Sequence, residues 1–234
     1  MILVDELLYG FELRQNEIAR EDNQSIPLED KLLLLNDAQI TWCKQKIGLN
    51  NTYKVGYEGN QKRIEDLQIL KEKTPAVKAV KTKNIRHTSY QIPLPRRIWY
   101  INSFSQAKKG KCETTIYNNI IPEGELERKY NNVNYSPSFE WEETLCTQEQ
   151  DNLIVYTDNT FTIEEVYVTY LRYPVNMDKE GYTHFDGSPS TNQDCELPEY
   201  AKQDIIDFAV LVSSQASKDQ QTTQNTIQRI QINE

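Results

Sequence analysis

The chain has 234 residues, of which 35 are acidic and 26 basic, giving a formal net charge of −9; 38% are hydrophobic. A pI near 4.9 and a mean hydropathy of −0.71 argue against a dedicated nucleic-acid binder, whose binding domain is usually basic, and no stretch approaches the roughly eighteen apolar residues of a membrane helix. The four cysteines, Cys43, Cys112, Cys146 and Cys195, are scattered, which excludes paired-thiol zinc and redox motifs and predicts free, small, buried side chains in a reducing compartment.

In chain order, Leu3, Leu7 and Phe11 recur at helical spacing and predict a short amphipathic helix over 3–16. A stronger helix starts at Pro27, which a first turn tolerates, and runs to about Ile47, where Gly48 ends it. Its two adjacent stripes, Leu28, Leu32, Leu35 and Trp42 beside Leu33, Ile40 and Ile47, predict packing on two sides. A further helix is expected over 61–73, closed by Pro75. From Lys78 to Tyr173 the period changes to that of strands. Stretches 97–104 and 112–121 read as a hairpin around a 106–110 loop, followed by strands at 139–142, 153–156 and 162–173. Residues 122–138 are polar and irregular, and 174–197 lack periodicity. A last helix begins at Pro198, with Ala201, Ile205, Phe208 and Val212 on one face. The polar end of the chain offers only Ile227, Ile230 and Ile232 as large apolar side chains, too few to pack a core. The expected fold is therefore α+β: a helical body from both chain ends, with an inserted antiparallel β-rich region, a long loop and an extended C-terminal tail. The divisions are 1–75, 76–174, 175–197, 198–217 and 218–234.

Charge is sorted along the sequence. Between Lys71 and Lys111 there are eleven Lys or Arg and one acid, Glu72; the stretch before carries −4 and the stretch after −15. Two readings fit: a solvated basic hairpin with an acidic tail, or a basic face that meets the acidic face of a neighbouring copy. The 14 Tyr and 3 Trp suit either a sheet or an interface. No catalytic pattern emerges. There is no phosphate loop or nucleophile elbow, His87 and His184 lack patterned partners, and the adjacent acids Glu142-Glu143 and Glu164-Glu165 point to opposite faces of a strand. No cofactor, metal or catalytic residue is expected. Lysines and arginines interleaved with Tyr90, Trp99 and Tyr100 keep open a nucleic-acid-binding accessory role for the 78–111 face.

Short motifs spread in order over nearly the whole chain carry a resemblance. They are Asp5-Glu6-Leu7-Leu8 with Phe11-Glu12-Leu13-Arg14, Asn36-Asp37-Ala38-Gln39 followed by Trp42, Arg63-Ile64-Glu65-Asp66-Leu67-Gln68, and Ile92-Pro93-Leu94-Pro95. Further on come Pro137-Ser138-Phe139-Glu140-Trp141-Glu142-Glu143-Thr144, Val155-Tyr156-Thr157-Asp158, Tyr170-Leu171-Arg172-Tyr173-Pro174, and Asp194-Cys195-Glu196-Leu197-Pro198 leading to Ile205-Ile206-Asp207. Together they resemble the head-to-tail connector, or ring, proteins of crAss-like tailed bacteriophages. Arg96-Arg97 departs from that pattern, in which an acidic pair follows the proline. The resemblance implies a non-enzymatic virion protein, assembled in the host cytoplasm. It implies a ring of identical copies, dodecameric if it follows the portal, that contacts the portal and adjoining tail rings and passes DNA through its lumen without reading sequence. The residues expected at its interfaces are Arg96, Arg97, Trp99, Lys108, Lys109, Lys111, Tyr182, Phe185, Ile227 and Ile230.

Overall fold

The computed structural model describes residues 1–18, 26–48, 61–74, 76–83, 87–94, 98–184, 187–216 and 227. The chain divides into a helical unit, residues 1–70 with 174–234, and a sheet unit, residues 71–173. Among the described residues there are five α-helices, α1 (Val4–Ile18), α2 (Leu28–Ile47), α3 (Gln61–Asp66), α4 (Leu126–Tyr130) and α5 (Lys202–Ala216). The nine strands are β1 (Lys71–Lys73), β2 (Val77–Lys78), β3 (Val80–Lys83), β4 (Thr88–Pro93), β5 (Ile98–Lys109), β6 (Cys112–Ile120), β7 (Glu143–Glu149), β8 (Asn152–Thr157) and β9 (Thr162–Arg172).

All nine strands belong to one curled sheet, in the order β1-β9-β5-β6-β7-β8-β4-β3, with β2 also on β9. The run 77–83 joins the two ends of that order. Val77 and Lys78 pair with Val166 and Glu165, the Ala79 N–H donates to the Glu164 carbonyl at 3.1 Å, and Val80 to Lys83 pair with β4. The curl wraps a core of Ile92, Ala107, Ile116, Leu153, Val155, Ile163, Val166 and Val168, all buried. The strands alternate as a half-buried sheet requires: Ile163, Val166 and Val168 turn inward while Thr162 and Tyr167 turn out. A smaller apolar cluster lies on the opposite face, where Leu126 and Tyr130 of α4 cover Leu145 and Tyr156.

This architecture corrects the expected α+β fold. The dominant element is a nine-stranded curled sheet, and the fold is not dominated by a helical body with strands inserted. The sheet is also not purely antiparallel, because β6 and β7 run parallel; the 121–142 connection between them is the crossover that parallel strands need. Five strands, β1 to β4 and β7, are not among those expected. Lys71-Glu72-Lys73 is exposed throughout, and β2 and β3 are too short to show alternation. The expected 61–73 helix accordingly stops at Asp66, passes through a 3-10 turn at 68–70 and enters β1. The expected 139–142 strand is a turn with Glu142 at φ +55°.

In the helical unit, α5 packs on α1 and on α2. Gly10 of α1 sits where a Cβ would lie 2.5 Å from Ile206 Cδ1, so a side chain there would require that terminal methyl of α5 to shift. On α2, Leu32, Leu35, Ala38, Gln39, Trp42 and Cys43 are buried. The second expected stripe is not, since Leu33 is 61% exposed. Residues 174–197 are irregular but fastened along their described length. The Asn36 side chain exchanges hydrogen bonds with the Met177 backbone (3.0 and 2.7 Å), Gln39 donates to the Val175 carbonyl, and Ile2 forms a two-way bridge with Cys195. Asp194 Oδ1 accepts from the Val4 N–H at 3.0 Å, supplying from far along the chain the cap that α1 lacks locally.

Candidate functional site

β5 and β6 pair out to Lys109 and Cys112, so the hairpin loop is two residues and not five. Gly110, at φ +64°, fills the first central position of a type II′ turn, which favours glycine there. The turn brings Lys108, Lys109 and Lys111 to one tip. Two of the three are engaged by the sheet's own carboxylates. Lys108 Nζ is 2.8 Å from Glu113 and 3.4 Å from Glu164, while Lys109 Nζ is 2.5 Å from Glu140 and lies over the Phe139 ring. Hydrogen bonds to these acids raise both lysine pKa values. Lys111 is exposed at the tip. Trp99 lies at the far end of β5, about 30 Å away at strand rise, beside a register shift, with its ring 3.9 Å from that of Tyr173.

The strand register assembles a feature that single strands do not announce. Phe104 of β5 lies opposite Tyr117 of β6 and also opposite Tyr167 of β9. All three point to the outer face and are 37%, 43% and 42% exposed, and the Phe104 and Tyr117 rings meet edge-on at 5.7 Å. Tyr117 is in register with Glu143, next to the 138–142 turn that presents Trp141, 81% exposed. Glu142 fixes that turn: its carbonyl accepts the Tyr117 N–H at 2.8 Å and its carboxylate accepts the Thr114 hydroxyl at 2.8 Å. The result is a strip of aromatic side chains crossing the strand direction, rimmed by Glu165, Glu143 and Asn119.

In the helical unit, Tyr182 belongs to a clasp around Asp178. Asp178 Oδ1 accepts from the Lys179 N–H (2.9 Å) and the Tyr182 hydroxyl (2.6 Å). Oδ2 accepts from the Thr191 N–H (2.7 Å) and lies 3.1 Å from His184 Nε2. Burial pushes this carboxyl's pKa up, but the bonds from Thr191, Tyr182, Lys179 and His184 outweigh it and the net shift is downward. Burial and the Asp178 charge push the Tyr182 phenol up to about 12. The clasp borders an open cleft of about 480 Å³ against α2, where Glu29, Asp30 and Asn36 line the other side. Both carboxylate oxygens accept hydrogen bonds from within the loop, so Asp178 ties Lys179, Tyr182 and Thr191 together.

Of the ten expected interface residues, the structure groups Lys108, Lys109 and Lys111, sets Trp99 apart from them on the same unit, and puts Tyr182 on the other unit. Ile227 is exposed; Arg96, Arg97, Phe185 and Ile230 lie outside the described residues. The aromatic strip was not found from sequence because its members lie on three strands that only register brings together. The available signal was that Phe104, Tyr117 and Tyr167 each fall on the polar phase of their strand. No family model and no curated protein matches the chain.

Proposed function

We propose that this chain is a non-enzymatic structural protein of a tailed-phage particle. It is one subunit of a homo-oligomeric ring in the head-to-tail connector, joining portal to tail around the DNA channel. The observation that carries this reading is the uncovered strip of Tyr167, Phe104 and Tyr117 beside Trp141. Large aromatic side chains grouped on a sheet face, with polar groups at the rim, have the composition of an interface centre. The resemblance of the ordered motifs to crAss-like connector proteins supports the reading by naming an assembly in which such a face would be covered. The nucleic-acid alternative is weakened at the hairpin, because Lys108 and Lys109 are neutralised by Glu113, Glu164 and Glu140 and the strip is rimmed by carboxylates, which repel phosphate.

Light scattering on the full chain, read against a Phe104→Ser/Tyr117→Ser variant, tests the reading, together with imaging of the portal vertex of particles. Wild-type protein is expected to form rings at high concentration and to occupy the neck, and the variant to stay monomeric with an unchanged circular dichroism spectrum. Particles whose neck lacks the protein would overturn the assignment.

A further inference from the structure

Folding redistributes the charge that looks segregated in sequence. The sheet unit holds 14 Lys or Arg and 13 Asp or Glu, a net of +1, while the helical unit holds 12 and 22, a net of −10. Within the sheet unit the acids are not shared evenly among the lysines. Lys108 and Lys109 at the hairpin tip take Glu113, Glu164 and Glu140, and Glu72 is taken by Arg172 at 2.7 Å. Lys71, Lys73, Lys78 and Lys81 are all exposed, and among the described residues none has a carboxylate within ion-pair distance. Lys78 stands opposite Glu165 in the register, but the Glu165 carboxylate accepts from the Tyr167 hydroxyl instead. Lys71, Lys73 and Lys81 stand opposite Leu171, Thr169 and Tyr90. Lys71 and Lys78 lie opposite β9 positions six residues apart, about 20 Å, so these four lysines form a band along β1 to β3, with Lys71, Lys73 and Lys78 on the face of Thr169 and Lys81 on the face of Tyr90. Val80, 65% exposed, sits within it.

We infer that the β1–β3 lysine band, and not the hairpin tip, is the basic half of the contact between copies, and that its partner is the acid-rich helical unit of the next copy. This rests on the ring reading above and specifies its chemistry. A head-to-tail ring needs two different faces on each subunit that fit one another, and the chain carries a unit of net −10 and, on its sheet unit, a run of lysines with no carboxylate in ion-pair distance among the described residues. Polyanionic DNA fits less well, because a strand lying on the band would also face the carboxylates of a chain with a net charge of −9. The helical unit offers Glu29 and Asp30, in the first turn of α2, as the acids to probe first.

The test is a charge swap in the full chain, read by concentration-dependent light scattering. Reversal of Lys71, Lys73, Lys78 and Lys81 to Glu is expected to weaken self-association about 100-fold, from four exposed pairs of modest individual strength. Adding Glu29→Lys and Asp30→Lys to the same chain restores at least tenfold of that loss. Lys108→Glu/Lys109→Glu changes association less than threefold. Circular dichroism of each variant separates loss of contact from loss of fold. Three results overturn the inference. In one, association is unchanged in the fourfold variant while wild type assembles, which leaves the ring reading standing. In another, reversal strengthens association, which marks the lysines as guards against strand pairing. In the third, the variant loses salt-sensitive binding of a 30-base-pair duplex with assembly intact, which assigns the band to DNA. A wild-type chain that stays monomeric at every concentration overturns the ring reading and this inference together.

Discussion

Asn118 is the residue on which the sheet interior depends most for polar order. It is 1% exposed, accepts from the Ser105 hydroxyl at 2.7 Å and donates to Ser103 Oγ at 3.0 Å. A single amide thus satisfies two buried hydroxyls on the neighbouring strand. Asn118→Ala strands both, and a buried polar group without a partner costs about 1–3 kcal/mol. Urea titration should therefore show a loss of about 2–3 kcal/mol with an unchanged slope. Asp178 plays the corresponding part in the helical unit, and its effect depends on pH. Its folded-state pKa lies below the ordinary value, so its contribution is complete above the unfolded pKa of about 3.9 and is lost as pH falls through the folded value. Asp178→Asn should melt below wild type at pH 7, by about 2 kcal/mol at the transition. The two proteins should converge below about pH 4, a comparison that calorimetry across pH makes directly.

At the scale of elements, the run 77–83 closes the curl, and one hydrogen bond marks the handover from β9 to β4. Ala79→Pro removes the N–H that the Glu164 carbonyl accepts and should cost about 1–3 kcal/mol, with amide exchange accelerating in β3 and β4 ahead of β5 and β6. This run also shows why the fold was only partly legible. Helices α2 and α5 and strand β9 carry long periodic patterns, and periodicity survives in sequence. Strands β1, β2 and β3 are two to four residues long, rich in lysine, and exist because β9 and β4 offer them partners. The parallel pairing of β6 with β7 likewise leaves no local trace. The candidate site divides the same way. The hairpin lysines are visible as a cluster in sequence, but their neutralisation needs Glu113, Glu140 and Glu164 brought in from three separate places. The strip of Phe104, Tyr117 and Tyr167 needs a register across three strands. Asp178 looks like an ordinary loop acid until Tyr182, His184 and Thr191 fold back upon it.

For the whole molecule, the contrast between a helical unit at −10 and a sheet unit at +1 makes salt a control on association. Exposed charges are screened within about 8 Å at physiological ionic strength. The strand order has a second consequence, for the timing of synthesis. β9 is the last strand of its sheet to be made, yet it pairs with β1, β2 and β5. Until residue 172 has left the ribosome, β5 has an empty side and the first two strands have nothing to bind. The helical unit waits longer still, because α5, against which α1 and α2 pack, lies at 202–216. A nascent chain of this protein therefore spends most of its synthesis with its hydrophobic segments unpaired, and a stop codon placed before 160 yields an aggregating fragment with neither unit complete.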